Sequence, residues 1–304
     1  MTTVVATSVV RGSHQGESHG GVHLIDFDKQ TSLRVVDWNT MDIDWQGRGW
    51  DRGLRGIAVD GDRVFIAASD ELYEYTPDFQ QVNSWRNPFL KHCHEIAVYQ
   101  RRLYLTSTGF DSILGFDLDN NRFSWGLQVA RVGSRYQGAP FDPASGKGPP
   151  PGNELHINNV CCTDAGLYLS GLRTGSLLRF NGRELSIWVT LPLGIHNAMP
   201  YRDGVIFNDT QADLVRFESR DGHVAFKVPQ YEPALLTHTE LDDSRIARQG
   251  FGRGLCLVGE GMLAGGSSPS TITLHDIDRQ RSIGTVALTM DIRNAIHGLE
   301  SWPF

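Results

Sequence analysis

The sequence lacks any apolar run of about eighteen residues, which excludes a membrane-spanning helix. It also lacks a basic run, and its formal net charge is −7, so nucleic acid is not the default partner. The first residues, MTTVVATSVV, carry neither the basic segment nor the small-residue cleavage site of a secretory signal. The four cysteines, Cys93, Cys161, Cys162 and Cys256, show no Cys-x-x-Cys spacing and read as reduced thiols of a cytoplasmic protein. There is no Gly-x-Ser-x-Gly elbow and no P-loop, and no helical pattern follows Gly250-Phe251-Gly252-Arg253-Gly254. Helical periodicity is almost missing altogether. Glycine is what the chain has in excess: 33 residues in 304, against an ordinary share of about 7%.

That glycine falls between short runs of β-branched and aromatic residues that alternate with polar ones. One unit recurs: an innermost strand, a glycine-bearing turn, then two or three further strands. Residues 55–60 lead into 63–69, 71–76 and 81–85; residues 94–99 lead into 102–108, 112–118 and 122–129. Further units start at 156, 196 and 253. The two ends of the chain complement each other. Residues 2–10, 21–27 and 33–38 supply three strands without an innermost one, and 296–302 supply an innermost strand with nothing after it. Thr40-Met41-Asp42-Ile43 echoes Thr289-Met290-Asp291-Ile292 before an innermost strand each time. The expected fold is all-β: a six-bladed β-propeller closed by its N- and C-terminal strands, one domain over 1–304.

Aligned on their innermost strands, the six units place Arg55, His94, His156, His196, Arg253 and His297 at one position. In a propeller these side chains are expected to ring one mouth of the central channel. Neutral imidazoles suit iron, copper, nickel or zinc over calcium or magnesium. Four histidines would close a tetrahedral zinc site but leave two positions open on octahedral Fe(II). The expected metal ligands are therefore His94, His156, His196 and His297, with Fe(II) favoured and Cu, Mn or Zn as alternatives. A ligating histidine usually donates its other N–H to a carboxylate or carbonyl, and Glu95, Glu154 and Glu300 are the candidates. At this site alone the chain resembles the carotenoid-cleavage oxygenases, longer seven-bladed propellers whose Fe(II) sits on four axial histidines. The resemblance implies iron and no substrate. His156-Ile157-Asn158-Asn159 and His196-Asn197-Ala198-Met199-Pro200 are also similar to bacterial propellers whose blades begin with His-x-Asn and His-Asn/Ser-x-x-Pro, which implies the fold and no activity.

Arg55 and Arg253 flank His297 in the expected ring, and a guanidinium there suits a carboxylate, phosphate or sulfonate. Gly56 and Gly254 follow Arg55 and Arg253 and are expected to let a ligand or backbone approach closely, and Gly298 follows His297 and is expected, with them, to make room for a ligand. Three long connections, roughly 39–53, 130–154 and 229–252, read as lids over the same mouth. They bring Trp45 and Trp50; Arg131, Arg135 and Tyr136; and Tyr231 and His238. His14 and His19, in the loop 12–20, read as solvated, and Cys93 as core.

The expectation is a metal-dependent enzyme, oxidative in the first instance, acting on a small anionic substrate in the channel. Arg55, Arg253, Glu95 and Tyr231 are the candidate catalytic groups. Arg55, Arg253, Trp50, Tyr136 and Asn197 are the candidate substrate contacts. The alternatives are a redox-neutral metal-dependent lyase, isomerase or cyclase, and a non-catalytic scaffold that binds a protein or peptide. A monomer or small homo-oligomer is expected, without nucleic-acid or membrane partners.

Overall fold

A computed structural model describes residues 2–14, 16–38, 53–240 and 248–304. The described residues form antiparallel β-meanders and almost no helix; Pro233–Leu235 makes a single 3-10 turn. No helix among them is long and apolar enough to cross a membrane.

The first sheet contains β1 (Thr3–Val10), β2 (Gly20–Asp26) and β3 (Thr31–Asp37). The second runs β4 (Ile57–Asp60), β5 (Arg63–Ala68), β6 (Glu71–Tyr75) and β7 (Gln81–Arg86). The third contains β8 (Ile96–Tyr99), β9 (Arg102–Ser107), β10 (Ser112–Asp117), β11 (Arg122–Val132) and β12 (Arg135–Phe141). The fourth has β13 (Ile157–Thr163), β14 (Gly166–Gly171), β15 (Ser176–Phe180) and β16 (Leu185–Thr190). The fifth has β17 (Ile195–Tyr201), β18 (Gly204–Asp209), β19 (Leu214–Glu218) and β20 (His223–Lys227). The sixth has β21 (Leu255–Gly259), β22 (Met262–Ser267), β23 (Thr271–Asp276) and β24 (Arg281–Ala287). The last strand, β25 (Asn294–Ser301), returns to pair with β1, so the sheet order is β25-β1-β2-β3. The sequence expectation of one blade shared by both ends of the chain is met.

Burial follows the meander. Second and third strands are mostly buried, almost wholly so in Arg63–Ala68 and Glu71–Tyr75, while outer strands such as Gln81–Arg86 and Leu185–Thr190 face solvent. The chain divides into two compact units, residues 1–57 with 206–304, and residues 58–205. In the first, Val4, Ala6, Ile25, Cys256, Ile272 and Ile296 share a core. In the second, Phe65, Leu72, Cys93, Leu105, Leu114 and Phe116 form one cluster, and Ile113, Leu127, Leu155, Ile157 and Leu169 another. Cys93 is core, as expected, and all four cysteines are free thiols.

Two expectations about loops fail. Residues 130–154 are not one long lid: β11 continues to Val132, turns through Gly133 at φ 61° and returns as β12, a fifth strand. A two-residue turn of this kind needs positive φ, which glycine adopts without strain. His19 is not solvated but fully buried, with Nδ1 2.5 Å from Ser13 Oγ. His14 is exposed.

Candidate functional site

The unit of residues 1–57 and 206–304 carries Arg55, Arg253 and His297. Glycines decide how closely its strands approach. A Cβ on Gly266 would lie 2.4 Å from Arg253 O, and one on Gly254 would lie 3.0 Å from His297 O. A Cβ on Gly298 would lie 2.4 Å from Arg55 O. Gly254 and Gly298 therefore make room for neighbouring backbone: for Gly254 this is one of the two expected uses, and for Gly298 it corrects the expectation of space for a ligand. The buried Thr7 hydroxyl locks the same junction, donating to Arg55 O and accepting from Gly298 N at 2.8 Å.

The close approach puts Arg253 Nη1 2.8 Å from His297 Nε2. Guanidinium only donates, so Nε2 accepts, and His297 is neutral with its proton on Nδ1. The same guanidinium lies 4.6 Å from the centre of the Phe251 ring. Arg248 and Arg11 approach that ring at 5.4 and 5.6 Å. Three guanidiniums thus gather around one phenyl ring, each drawn by its quadrupole. Asp213 offsets one of these charges, through Arg248 at 2.6 Å. Arg55 is completely buried. Tyr231, in the connection 229–252, has its hydroxyl 3.0 Å from Thr271 Oγ1. Glu300 follows His297 on β25; burial pushes its carboxyl up to about 7, and its Oε1 accepts from Ser301 N.

The unit of residues 58–205 carries His94, Glu95, His156, His196 and Asn197. Thr106, fully buried, accepts from the backbone N–H of both His94 and Glu95 at 2.9 and 3.0 Å and so fixes that turn. Asp111 does the same for His156. Its carboxylate accepts from Glu154 N at 2.6 Å, Leu155 N at 2.9 Å and Ile157 N at 3.2 Å. Arg173 holds the other side by donating to the carbonyls of Glu154 and Asn153. These clamps sustain a left-handed His156, φ 56°, a conformation that most side chains avoid. His156 Nδ1 lies 3.0 Å from Asn153 Oδ1, and the His94 and His156 ring centres are 5.3 Å apart. Asn197, also left-handed at φ 50°, donates to Glu95 Oε2. Burial and the Glu95 charge push the Cys161 thiol up to about 11, so it is neutral near pH 7.

The structure therefore brings His94 to His156, Asn197 to Glu95 and Arg253 to His297. Among the described residues, no group of three or more His, Cys, Asp or Glu is placed to hold a metal ion. Tyr136 anchors a hairpin: its hydroxyl donates to Thr174 O at 2.6 Å and receives Arg131 at 2.7 Å. Trp45 and Trp50 lie outside the described residues. Sequence reading missed Phe251, Asp111, Thr106 and Thr7. Asp111 and Thr106 carry a signal, polar residues ending buried second strands or opening third ones, but their backbone partners cannot be read from spacing.

No family model matches the chain, and no curated protein matches it either. Solved structures do. A crystallised nidogen/laminin complex contains a chain that is 10% identical with a TM-score of 0.58; the match covers 98% of this chain and 97% of that one. A protein of unknown function from Bacteroides caccae is 8% identical with the same TM-score, over 98% of both chains. The C-terminal WD40 domain of Sif2 is 10% identical with a TM-score of 0.51, over 95% of this chain and 88% of that one. At such identities the likeness is one of fold, and the fold is a six-bladed β-propeller.

Proposed function

We propose that this chain is an enzyme that binds a small anionic substrate through Arg253 and moves a proton with His297. The contact between Arg253 Nη1 and His297 Nε2 carries the reading. It pairs a donor that prefers an anion with a base whose lone pair it covers. A carboxylate, phosphate or sulfonate is a stronger acceptor for guanidinium than a neutral imidazole. Substrate would draw Arg253 onto its own anionic group and uncover Nε2 beside it. The uncovered nitrogen then takes a proton from the carbon next to that group, leaving an imidazolium that returns the proton elsewhere on the substrate. Isomerisation and elimination are the reactions this supports, both redox-neutral. Arg11, close to the same Phe251 ring, adds to the positive field, while Asp213 offsets the charge of Arg248.

The iron-dependent oxidative reading requires His94, His156, His196 and His297, or three of them with water, on one ion. The proton transfer proposed here needs none of them as a ligand.

Solvent exchange tests the proposal without knowledge of the product. The protein is incubated in D2O with a panel of small carboxylates, phosphate esters and sulfonates, followed by proton NMR. Deuterium is expected at the carbon beside the anionic group of at least one compound, at a rate cut about a hundredfold or more in His297→Asn. Exchange that persists unchanged in His297→Asn, or no exchange across the panel, overturns the assignment.

A further inference from the structure

The unit of residues 1–57 and 206–304 also carries an open cleft of about 580 Å³, a size that suits a small ligand. Arg253, His297 and Phe251 do not line it. Its walls are polar: Ser8, Ser32 and Thr289 contribute hydroxyls, while Val10 and Leu288 are the apolar members. Asp291 and Thr289 come from the repeated Thr-Met-Asp-Ile motif, which the catalytic reading leaves without a role.

Charge in the lining is balanced by contact. Arg293 is chelated by Asp291, Nε to Oδ1 at 3.1 Å and Nη2 to Oδ2 at 2.8 Å, and Glu17 Oε2 stands 3.6 Å from its Nη1. Arg34 Nη2 is 3.2 Å from Asp37 Oδ2, which leaves the half-exposed guanidinium with further N–H donors. His23 adds no charge near pH 7, because burial and Arg34 hold it down at about 4. An anion entering here meets Glu17 and Asp291, and a cation meets Arg34 and Arg293. A hydroxyl meets neither obstacle. It donates to carboxylate and accepts from guanidinium at once, so alternating acceptor-only and donor-only groups match adjacent hydroxyls, each with a charge-assisted bond.

We infer that this cleft binds a neutral polyhydroxylated ligand, a sugar of one or two rings, through Arg34, Glu17 and the surrounding hydroxyls. Ser32 and Arg34 lie on the exposed outer strand β3, so substitutions there spare the core.

Calorimetric titration with a panel of neutral mono- and disaccharides, and separately with citrate and spermidine, tests the inference. At least one neutral sugar is expected to saturate, with affinity falling about tenfold in Arg34→Ala. In Ser32→Trp, which fills the cleft, binding is expected to vanish while the unfolding temperature stays unchanged. The inference is overturned if no neutral sugar saturates, if sugar binding survives both substitutions, or if citrate or spermidine binds more tightly than every sugar.

Discussion

Arg253 Nη1 donates to His297 Nε2 at 2.8 Å, where two glycines let the segment before β21 approach β22 and β25 closely. Glycine 254 abuts the carbonyl of His297, and Gly266 abuts the carbonyl of Arg253. The pairing of Arg253 with His297 thus depends on close backbone packing.

The first prediction concerns that packing. Gly298→Ala places a methyl 2.4 Å from Arg55 O and 2.9 Å from Thr7 Oγ1, both in a buried junction. The expected cost is about 2 kcal/mol or more in urea denaturation. A variant as stable as the parent shows that the junction has slack.

Asp111 supports the turn before β13 through three backbone N–H groups and is almost completely buried. Asp111→Ala strands all three donors, so a loss of about 3 kcal/mol is expected in the same measurement. Asp111→Asn, which keeps two lone-pair positions on one oxygen, is expected to lose less. Equal losses in the two variants argue that volume matters there and hydrogen bonding does not.

Two buried groups give stability opposite pH slopes. Burial raises Glu300 from the ordinary 4.5 to about 7, so the folded state holds this proton more tightly than the unfolded chain. Its contribution is complete below pH 4.5 and is lost as pH rises through 7. Glu300→Gln is therefore expected to be the more stable protein at pH 8, by about 3 kcal/mol at most, with the advantage fading by pH 4.5. His275 behaves in reverse. Burial lowers it from 6.5 to about 4, so stability is complete above 6.5 and falls as pH drops through 4. Its ring stacks on Phe226 with centroids 4.5 Å apart, and His275→Phe is expected to flatten that acid limb. Denaturation midpoints from pH 4 to 8 check both.

Metal content separates the proton-transfer reading from the iron reading. After anaerobic incubation with Fe(II) and desalting, elemental analysis is expected to find well below one equivalent of iron. A full equivalent that disappears in both His94→Ala and His156→Ala supports the four-histidine centre instead.

Much of the architecture was legible in the sequence, because β-propeller blades advertise themselves through alternating strands and paired turn residues. The complementary ends, β1 to β3 and β25, were readable for the same reason. β12 was not: Gly138 and Pro140 make its sequence look like loop, and only pairing to an extended β11 makes it a strand. At the candidate site, the shared register of histidines and arginines was visible, but the pairings within it were not. Arg253 meets His297 through the absence of Cβ atoms on Gly254 and Gly266, whose close partners cannot be read from the sequence. Phe251, which gathers three guanidiniums, looks in the sequence like one more aromatic beside glycines. Gly254 and Gly298 stand out in the sequence by their positions, but that they admit backbone shows only in the packing.

The proposed function turns on whether Arg253 prefers a substrate anion to His297. Calorimetric titration of small carboxylates, phosphate and sulfonates into the parent protein and Arg253→Ala tests this most directly. One-to-one binding of at least one anion is expected, weakened about tenfold or more by Arg253→Ala. Equal affinity in the two proteins, or no binding of any anion by the parent, would contradict it.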